Sequence, residues 1–321
     1  MPAREPASPE EWAEADERRH EDRAPLGEAA VMADGDFLAI DWGTTNRRVY
    51  LMNAGGAVLD TARDDHGIKG VAAGGWSDEL AGIRARFGNL PAIAAGMVGS
   101  TRGWIDVPYV KAPAGVAELA AALGRVDGED FAIVPGVACD GDRPDVMRGE
   151  EVQVLGAVLA GLAPADALFC QPGTHNKWIT LEAGRIARFT TALTGELFAL
   201  LRDHSILAEM MTGDVGDGPA FRAGLADAGD GDILSRLFGV RASVLLGKRP
   251  RADGAAYTSG LLIGGDVAAR QVAGRRVHIL SDPKLGPLYA TAIAQFGGTA
   301  TIIDGQAAFL TGIHHIRSIS A

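Results

Sequence analysis

Phe37-Leu-Ala-Ile-Asp41-Trp42-Gly43-Thr44-Thr45-Asn46-Arg-Arg48-Val-Tyr-Leu-Met52 sets a short turn of small and polar residues between two β-prone runs, the pattern of a tight hairpin. The first strand ends on a carboxylate, and the turn carries a glycine, two hydroxyls and an amide. Gly43 adds no side chain, so the turn can approach a phosphate closely while Thr44, Thr45, Asn46 and the backbone N–H groups donate hydrogen bonds. Asp41 would then hold Mg²⁺, directly or through water. Taken alone, the same residues also make an ordinary turn.

A second copy changes the weight of that motif. Leu168-Phe-Cys-Gln-Pro172-Gly173-Thr174-His175-Asn176-Lys177-Trp178 again leads an apolar strand through Gly-Thr-x-Asn into another strand. Each copy continues through a small-residue turn, 53–56 and 183–184, into a third strand. Two similar hairpins in different halves point to an internal duplication. Two facing phosphate loops point to a nucleotide cleft between the halves.

Composition and length agree with a globular α/β protein of two domains. The 321 residues are enough for two cores, with an expected division into 34–148 and 149–321. A formal charge of −11 argues against general affinity for nucleic acid. Two cysteines, Cys139 and Cys170, cannot form a disulfide framework and fit buried thiols in a reducing cytoplasm. No apolar run reaches the roughly 18 residues that cross a bilayer, so no membrane role is expected. Residues 1–33, crowded with charge, Ala and Pro, read as a disordered acidic tail with a transient helix over 10–23 and no export signal. Met32 offers an alternative start just before the first strand.

Between the hairpins, a helix is expected over 77–87 with Ser77 as its N-cap, and another over 114–123. The strand 92–95 runs into Gly96-Met-Val-Gly99-Ser100, followed by Trp104 and Tyr109, a wall suited to a small molecule. Arg148-Gly149-Glu150-Glu151 opens an otherwise apolar helix that ends before Pro164. In the second half, 234–238 and 243–246 read as short helices. A helix over 255–272 carries glycines that imply close packing or a ligand, because each costs about 1 kcal/mol against Ala. His314-His315 has no partners at metal spacing and reads as solvated. His175 reads as a hydrogen-bonding turn residue.

Asp-Trp-Gly-Thr-Thr-Asn at 41–46, Ala-Gly-Met-Val-Gly-Ser at 95–100, Val-Met-Arg-Gly-Glu-Glu at 146–151, Pro-Gly-Thr-His-Asn-Lys-Trp at 172–178, Thr-Gly-Glu-Leu at 194–197 and Ser-Gly-Leu-Leu-Ile-Gly at 259–264 together resemble the 2-dehydro-3-deoxygalactonokinases. The resemblance spans residues 36–317. More distantly, the paired hairpins and the Gly-Glu step resemble the sugar-kinase branch of the actin, Hsp70 and hexokinase superfamily. It implies two ribonuclease H-like (actin-like ATPase) domains around a nucleotide cleft. It also implies transfer of the γ-phosphoryl group of ATP to the 6-hydroxyl of 2-dehydro-3-deoxy-D-galactonate, a small sugar acid. By position Glu150 stands where the sugar kinases carry their catalytic base, with Glu151 its nearest rival. A carboxylate at a helix N-terminus is held ionised by the helix dipole.

Positioning and charge neutralisation for phosphoryl transfer fall to Gly43, Thr44, Thr45 and Asn46 on one side and Gly173, Thr174 and Lys177 on the other, with Asp41 on Mg²⁺. The substrate carboxylate calls for a guanidinium, first Arg148 and then Arg48, beside Trp104. One departure is Val277-His-Ile-Leu280, which runs into Ser281-Asp-Pro-Lys-Leu-Gly286 where the superfamily often has a Gly pair; the adenine contacts are therefore not assigned. A kinase for another sugar acid, and a non-kinase ATPase module of the same superfamily, are the competing readings. A homodimer is the default oligomer.

Overall fold

A computed structural model describes residues 35–281 and 283–320, so the expected disordered tail and the alternative start at Met32 lie outside the described residues. In chain order the first half supplies β1 (Phe37–Trp42), β2 (Arg47–Met52), β3 (Val58–Asp64), helix α1 (Trp76–Phe87), β4 (Ala92–Gly96), β5 (Val110–Lys111), α2 (Val116–Ala121), β6 (Gly124–Arg125), β7 (Phe131–Ile133), β8 (Val137–Cys139) and β9 (Asp145–Met147). There follow α3 (Glu150–Leu159), β10 (Ala167–Gln171), β11 (Asn176–Glu182), β12 (Arg185–Ala192), α4 (Thr194–His204), α5 (Pro219–Asp227), α6 (Ile233–Leu245), α7 (Gly254–Ala268), β13 (Arg276–Leu280), α8 (Leu285–Gln295), β14 (Thr299–Ile303) and α9 (Gly305–Ser320).

The duplication inferred from the hairpins is a duplication of topology. The first sheet runs β3-β2-β1-β4-β7-β6 and the second β12-β11-β10-β13-β14. In each, the hairpin strands and the third strand are antiparallel, and the next two strands, β4 and β7 or β13 and β14, are parallel to the first; β6 then closes the first sheet antiparallel to β7. The protein therefore has two ribonuclease H-like sheets of the actin-like ATPase class. Strands β5, β8 and β9 form a small third sheet that the sequence did not announce; at two or three residues each they are too short for an alternation pattern.

Alternation along the first strand of each half fixes what faces what. Leu38, Ile40 and Trp42 pack with Leu80, Ile83 and Phe87 of α1 on the outer face of the first sheet. Phe37, Ala39, Tyr50 and Met52 face the other way, and share one core with Phe169, Ile179 and Leu181 of the second sheet and with α3 and α9. These two helices thus fill the layer between the sheets. On the far side of the second sheet, Leu168, Cys170, Trp178 and Val277 pack with α5, α7 and α8.

Glycines let the central helices cross at backbone contact. A Cβ on Gly156 of α3 would overlap the Ala308 carbonyl of α9, and one on Gly312 of α9 would overlap the Val152 carbonyl of α3. Gly224 of α5 and Gly260 of α7 meet the carbonyls of Tyr257 and Phe221 in the same way. Of the two explanations for the glycines of α7, close packing is the one observed.

Several local expectations need correction. The helix expected to be capped by Ser77 begins at Trp76, with Gly75 in the capping position and no side-chain cap. The two short helices over 234–246 are the single helix α6, because Gly239 interrupts the apolar pattern but not the backbone. His314 is tied to Ala54 O at 3.1 Å and stacks on Phe37, so it is partly buried where solvation was expected.

Candidate active site

The inner-face register carries polar residues at the ends of the same strands. Continuing Phe37 and Ala39 by two places gives Asp41, and continuing Phe169 by two gives Gln171. On β2 and β11 the same face carries Arg48 and Lys177, each the cross-strand neighbour of those residues, Asp41 with Arg48 and Gln171 with Lys177. All four lie at the turn ends of the hairpins and face the layer that contains α3.

The N-terminus of α3 meets them through two residues one turn apart. Glu150 approaches Lys177 Nζ at 3.8 Å, and Gln153 accepts a 2.6 Å hydrogen bond from Gln171 Nε2. One helical face thus grips both members of the Gln171 and Lys177 pair. Glu150 also accepts from the Arg148 N–H at 3.0 Å. Burial raises its pKa above the usual carboxylate value, while Lys177 and the N–H groups at the helix start pull it down. A quarter of the side chain remains exposed, so it can receive a proton.

Glu151 is a different group. Its side chain is fully buried, and both oxygens accept from the Gly149 N–H, at 2.7 and 2.8 Å. Burial first and the neighbouring Glu150 second push its pKa up to about 8. Between these carboxylates only Glu150 faces a place where a substrate can reach it.

Backbone contact sets where that helix starts. Gly96 has φ +104° and Gly149 has φ +106°, values that side chains rarely tolerate. A Cβ on Gly96 would lie 2.7 Å from Trp42 O, and one on Gly149 would lie 3.2 Å from Gly96 Cα. The ends of β1 and β4 and the start of α3 are therefore stacked backbone on backbone.

Each hairpin turn has its own support. Gly67 donates to Thr45 O at 3.1 Å, Ile68 to Gly43 O at 3.0 Å and Lys69 to Thr44 O at 3.2 Å, pinning the first turn from behind. Thr45 and Asn46 are exposed at its tip. The second turn rests on α4: Glu196 N–H donates to Thr174 O at 2.9 Å, and the Glu196 carboxylate meets His175 Nε2 at 2.6 Å. Behind it, Asp266 of α7 binds Trp178 Nε1 at 3.0 Å and Thr194 Oγ1 at 3.1 Å, as well as the Asn176 amide.

Asp41 lies 3.6 Å from Arg48, and burial raises its pKa against the pull of Arg48 and Arg63. Arg148 is buried; its Nη2 donates to Val107 O at 2.7 Å and its guanidinium stacks 4.4 Å from the Tyr109 ring centroid. Its Nε and Nη1, like Gln171 Oε1, have no hydrogen-bond partner among the described residues. Trp104 is taken up in an aromatic row with Trp76 and Phe131, at 6.1 and 4.9 Å.

With this geometry in place, relatives of the chain become informative. Residues 41–316 match the family model described as 2-keto-3-deoxy-galactonokinase. The chain belongs to that family. It is 37% identical over 298 residues to the Rhizobium meliloti (strain 1021) protein DgoK1, named a probable 2-dehydro-3-deoxygalactonokinase, covering 87% of this chain and 95% of the relative. It is 36% identical over 287 residues to the 2-dehydro-3-deoxygalactonokinase of Escherichia coli (strain K12), covering 87% and 97%. A crystal structure described as a 2-dehydro-3-deoxygalactonokinase protein from Sinorhizobium meliloti superposes with a TM-score of 0.80 at 35% identity, over 88% of this chain and 95% of that one.

Sequence reasoning missed Gln171, Gln153, Gly67 and the supporting role of Glu196. Two of them carried a signal. Aligning the hairpins on Gly43 and Gly173 puts Gln171 opposite Asp41, and Gln153 is one turn beyond Glu150 on the same helix face. Gly67 and Glu196 are joined to the turns only by tertiary contacts, which no local pattern reveals.

Proposed function

We propose that this member of the family transfers the γ-phosphoryl group of ATP to the 6-hydroxyl of 2-dehydro-3-deoxy-D-galactonate, a step of galactonate breakdown. The observation that carries the residue assignment is Glu150, poised at the head of α3 against Lys177 of the second phosphate hairpin.

Glu150 takes the proton of the acceptor hydroxyl as its oxygen bonds to the γ-phosphorus and the bond to the β,γ-bridging oxygen breaks, releasing ADP. A carboxylate whose pKa is raised toward neutrality is a better base than an ordinary one, provided that it stays ionised. Lys177 serves both ends of that requirement: its charge keeps Glu150 ionised and neutralises the transferring phosphoryl group. Gly43, Thr44, Thr45, Asn46, Gly173 and Thr174 hold the phosphates through N–H and hydroxyl groups.

Among the described residues no cluster of three or more His, Cys, Asp or Glu side chains could hold a metal. Mg²⁺ binds through one or two protein oxygens together with substrate phosphates and water. Asp41 and the unpartnered Gln171 Oε1 fit that donor set. Bound there, Mg²⁺ would supply charge neutralisation on the phosphates.

For the substrate carboxylate the reading favours Arg148. Arg48 already faces Asp41, whereas two nitrogens of Arg148 are buried without partners, a costly arrangement that an arriving carboxylate relieves. Tyr109 and Val107 O hold the guanidinium flat for this contact.

The test is ADP release with a panel of 2-keto-3-deoxy sugar acids, including those from galactonate and gluconate, on wild type, Glu150→Gln and Arg148→Met. The expected result is turnover of the galactonate-derived acid, loss of kcat in the first variant and a raised KM for the acid in the second. Turnover of the gluconate-derived acid alone would replace the substrate. ATP hydrolysis unstimulated by any acid in wild type and in Glu150→Gln would replace the kinase reading by an ATPase module.

A further inference from the structure

Helix α6 turns an apolar stripe to solvent. Leu234, Phe238 and Leu245 are 84%, 61% and 61% exposed, and their spacing of four and seven keeps them on one face. Leu237 and Val240, on the opposite face, are buried. Exposed Ile206 widens the stripe, with its carbonyl accepting from Arg241 of α6 at 3.4 Å. Single exposed apolar residues need no explanation, but a contiguous row of large ones marks a contact surface.

We propose that this face of α6 binds α6 of a second copy of the chain, antiparallel, about a two-fold axis that crosses the stripe between Phe238 and Arg241. The charged ends of the helix complement each other in that arrangement and oppose each other in a parallel one. A register centred between residues 239 and 240 sets Leu234 against the partner's Leu245 and Phe238 against the partner's Arg241, an apolar pair and a cation–π pair. The same register brings Asp232, exposed at the head of the helix, to the partner's Lys248, exposed just past its end. A parallel pairing would put like charges together at both ends. Antiparallel alignment also sets the helix dipoles head to tail.

None of these residues belongs to the cleft that holds Glu150 and Lys177, which provides a control. Sedimentation velocity on the full chain at micromolar concentration is expected to give twice the 33.3 kDa chain mass. Phe238→Glu should return it to the single-chain mass while turnover and circular dichroism stay at wild-type values. Leu234→Lys, at a position 84% exposed and therefore free of core disruption, should do the same. Asp232→Lys should weaken the pair, and Asp232→Lys with Lys248→Asp should restore it. A wild-type chain that sediments as a monomer would overturn the proposal and assign the stripe to another occupant. A dimer that survives both Phe238→Glu and Leu234→Lys would overturn it equally. Failure of the double charge exchange to restore a pair weakened by Asp232→Lys would overturn the antiparallel register.

Discussion

The two Gly-Thr hairpins share a topology and a turn chemistry, yet they are held in different ways. The first is supported from within its own half, by the backbone of Gly67, Ile68 and Lys69 behind its turn. The second is supported by α4 and is cross-linked to α3, through Lys177 to Glu150 and Gln171 to Gln153. Where the first carries a carboxylate, Asp41, the second carries an amide, Gln171. On the proposed reading, one hairpin supplies an anion for a metal and the other supports the carboxylate that takes the proton. A change at the first should disturb nucleotide binding; the same kind of change at the second should disturb the chemical step.

The sharpest test of that division is Glu150→Gln. Removing a general base costs typically 10²–10⁴-fold in rate, and the amide keeps the size and most hydrogen bonds of the carboxylate. The expected outcome is a loss in kcat of about that size with KM for ATP near wild type, measured by steady-state ADP release. A large rise in KM for ATP with kcat preserved would assign Glu150 to nucleotide binding and dissolve the distinction between the hairpins.

A matched pair of glycine substitutions probes the supports. A Cβ on Gly67 would press on the Thr45 backbone, and one on Gly195 would press on the Gly173 carbonyl, so each displaces one turn. Misplacement of reacting groups by about 1 Å can cost on the order of 10²-fold. Gly195→Ala is therefore expected to lower kcat by about that factor, because the displaced turn carries Lys177 with it. Gly67→Ala is expected to act through KM for ATP, by about tenfold, or some 1.4 kcal/mol of binding. Equal effects on kcat from both variants would mean that the hairpins share the chemical step.

Lys177→Met separates the two roles of the lysine. Burial already raises the pKa of Glu150, and Lys177 opposes that rise. Without the cation, the pKa goes higher, and the acid limb of the kcat profile moves to higher pH. Lower kcat with an unmoved acid limb would leave Lys177 as a phosphate ligand alone.

Much of this was legible because it is local. The Gly-Thr-Thr-Asn and Gly-Thr-His-Asn turns, their flanking strands and the Gly149-Glu150 helix start are written in contiguous residues. The duplicated hairpins and the two-domain fold implied by the resemblance were read from these residues, whereas the strand order came from the structure. What escaped was set by distance in the chain. Gly67 touches Thr45, Glu196 touches Thr174 and His175, and Asp266 reaches back ninety residues to Asn176. The glycines of α7 carried two meanings in sequence, and only the approach of Phe221 and Tyr257 on α5 and α7 decided between them. The stacking of Trp104 on Trp76 also escaped, because Trp76 lies 28 residues earlier, at the start of α1.

The smallest effect on turnover is expected from Glu151→Gln, and it doubles as a check on the base. Glu151 is fully buried on the Gly149 N–H, and its pKa of about 8 keeps a proton on it at neutral pH. Gln is close in shape to that neutral acid, so kcat should stay near wild type. Stability should change with pH in a defined direction. The folded state retains a proton that the unfolded chain releases above its ordinary pKa of 4.5. The resulting stabilisation is complete below that pH and drains away as the pH climbs to about 8. Glutamine does not titrate, so the melting temperature of Glu151→Gln relative to wild type should rise between those limits and level off above them. If Glu151→Gln instead lost as much kcat as Glu150→Gln, with no pH-dependent gain in stability, the proton would have to leave through Glu151. The exposed carboxylate beside Lys177 would then be the structural one of the pair.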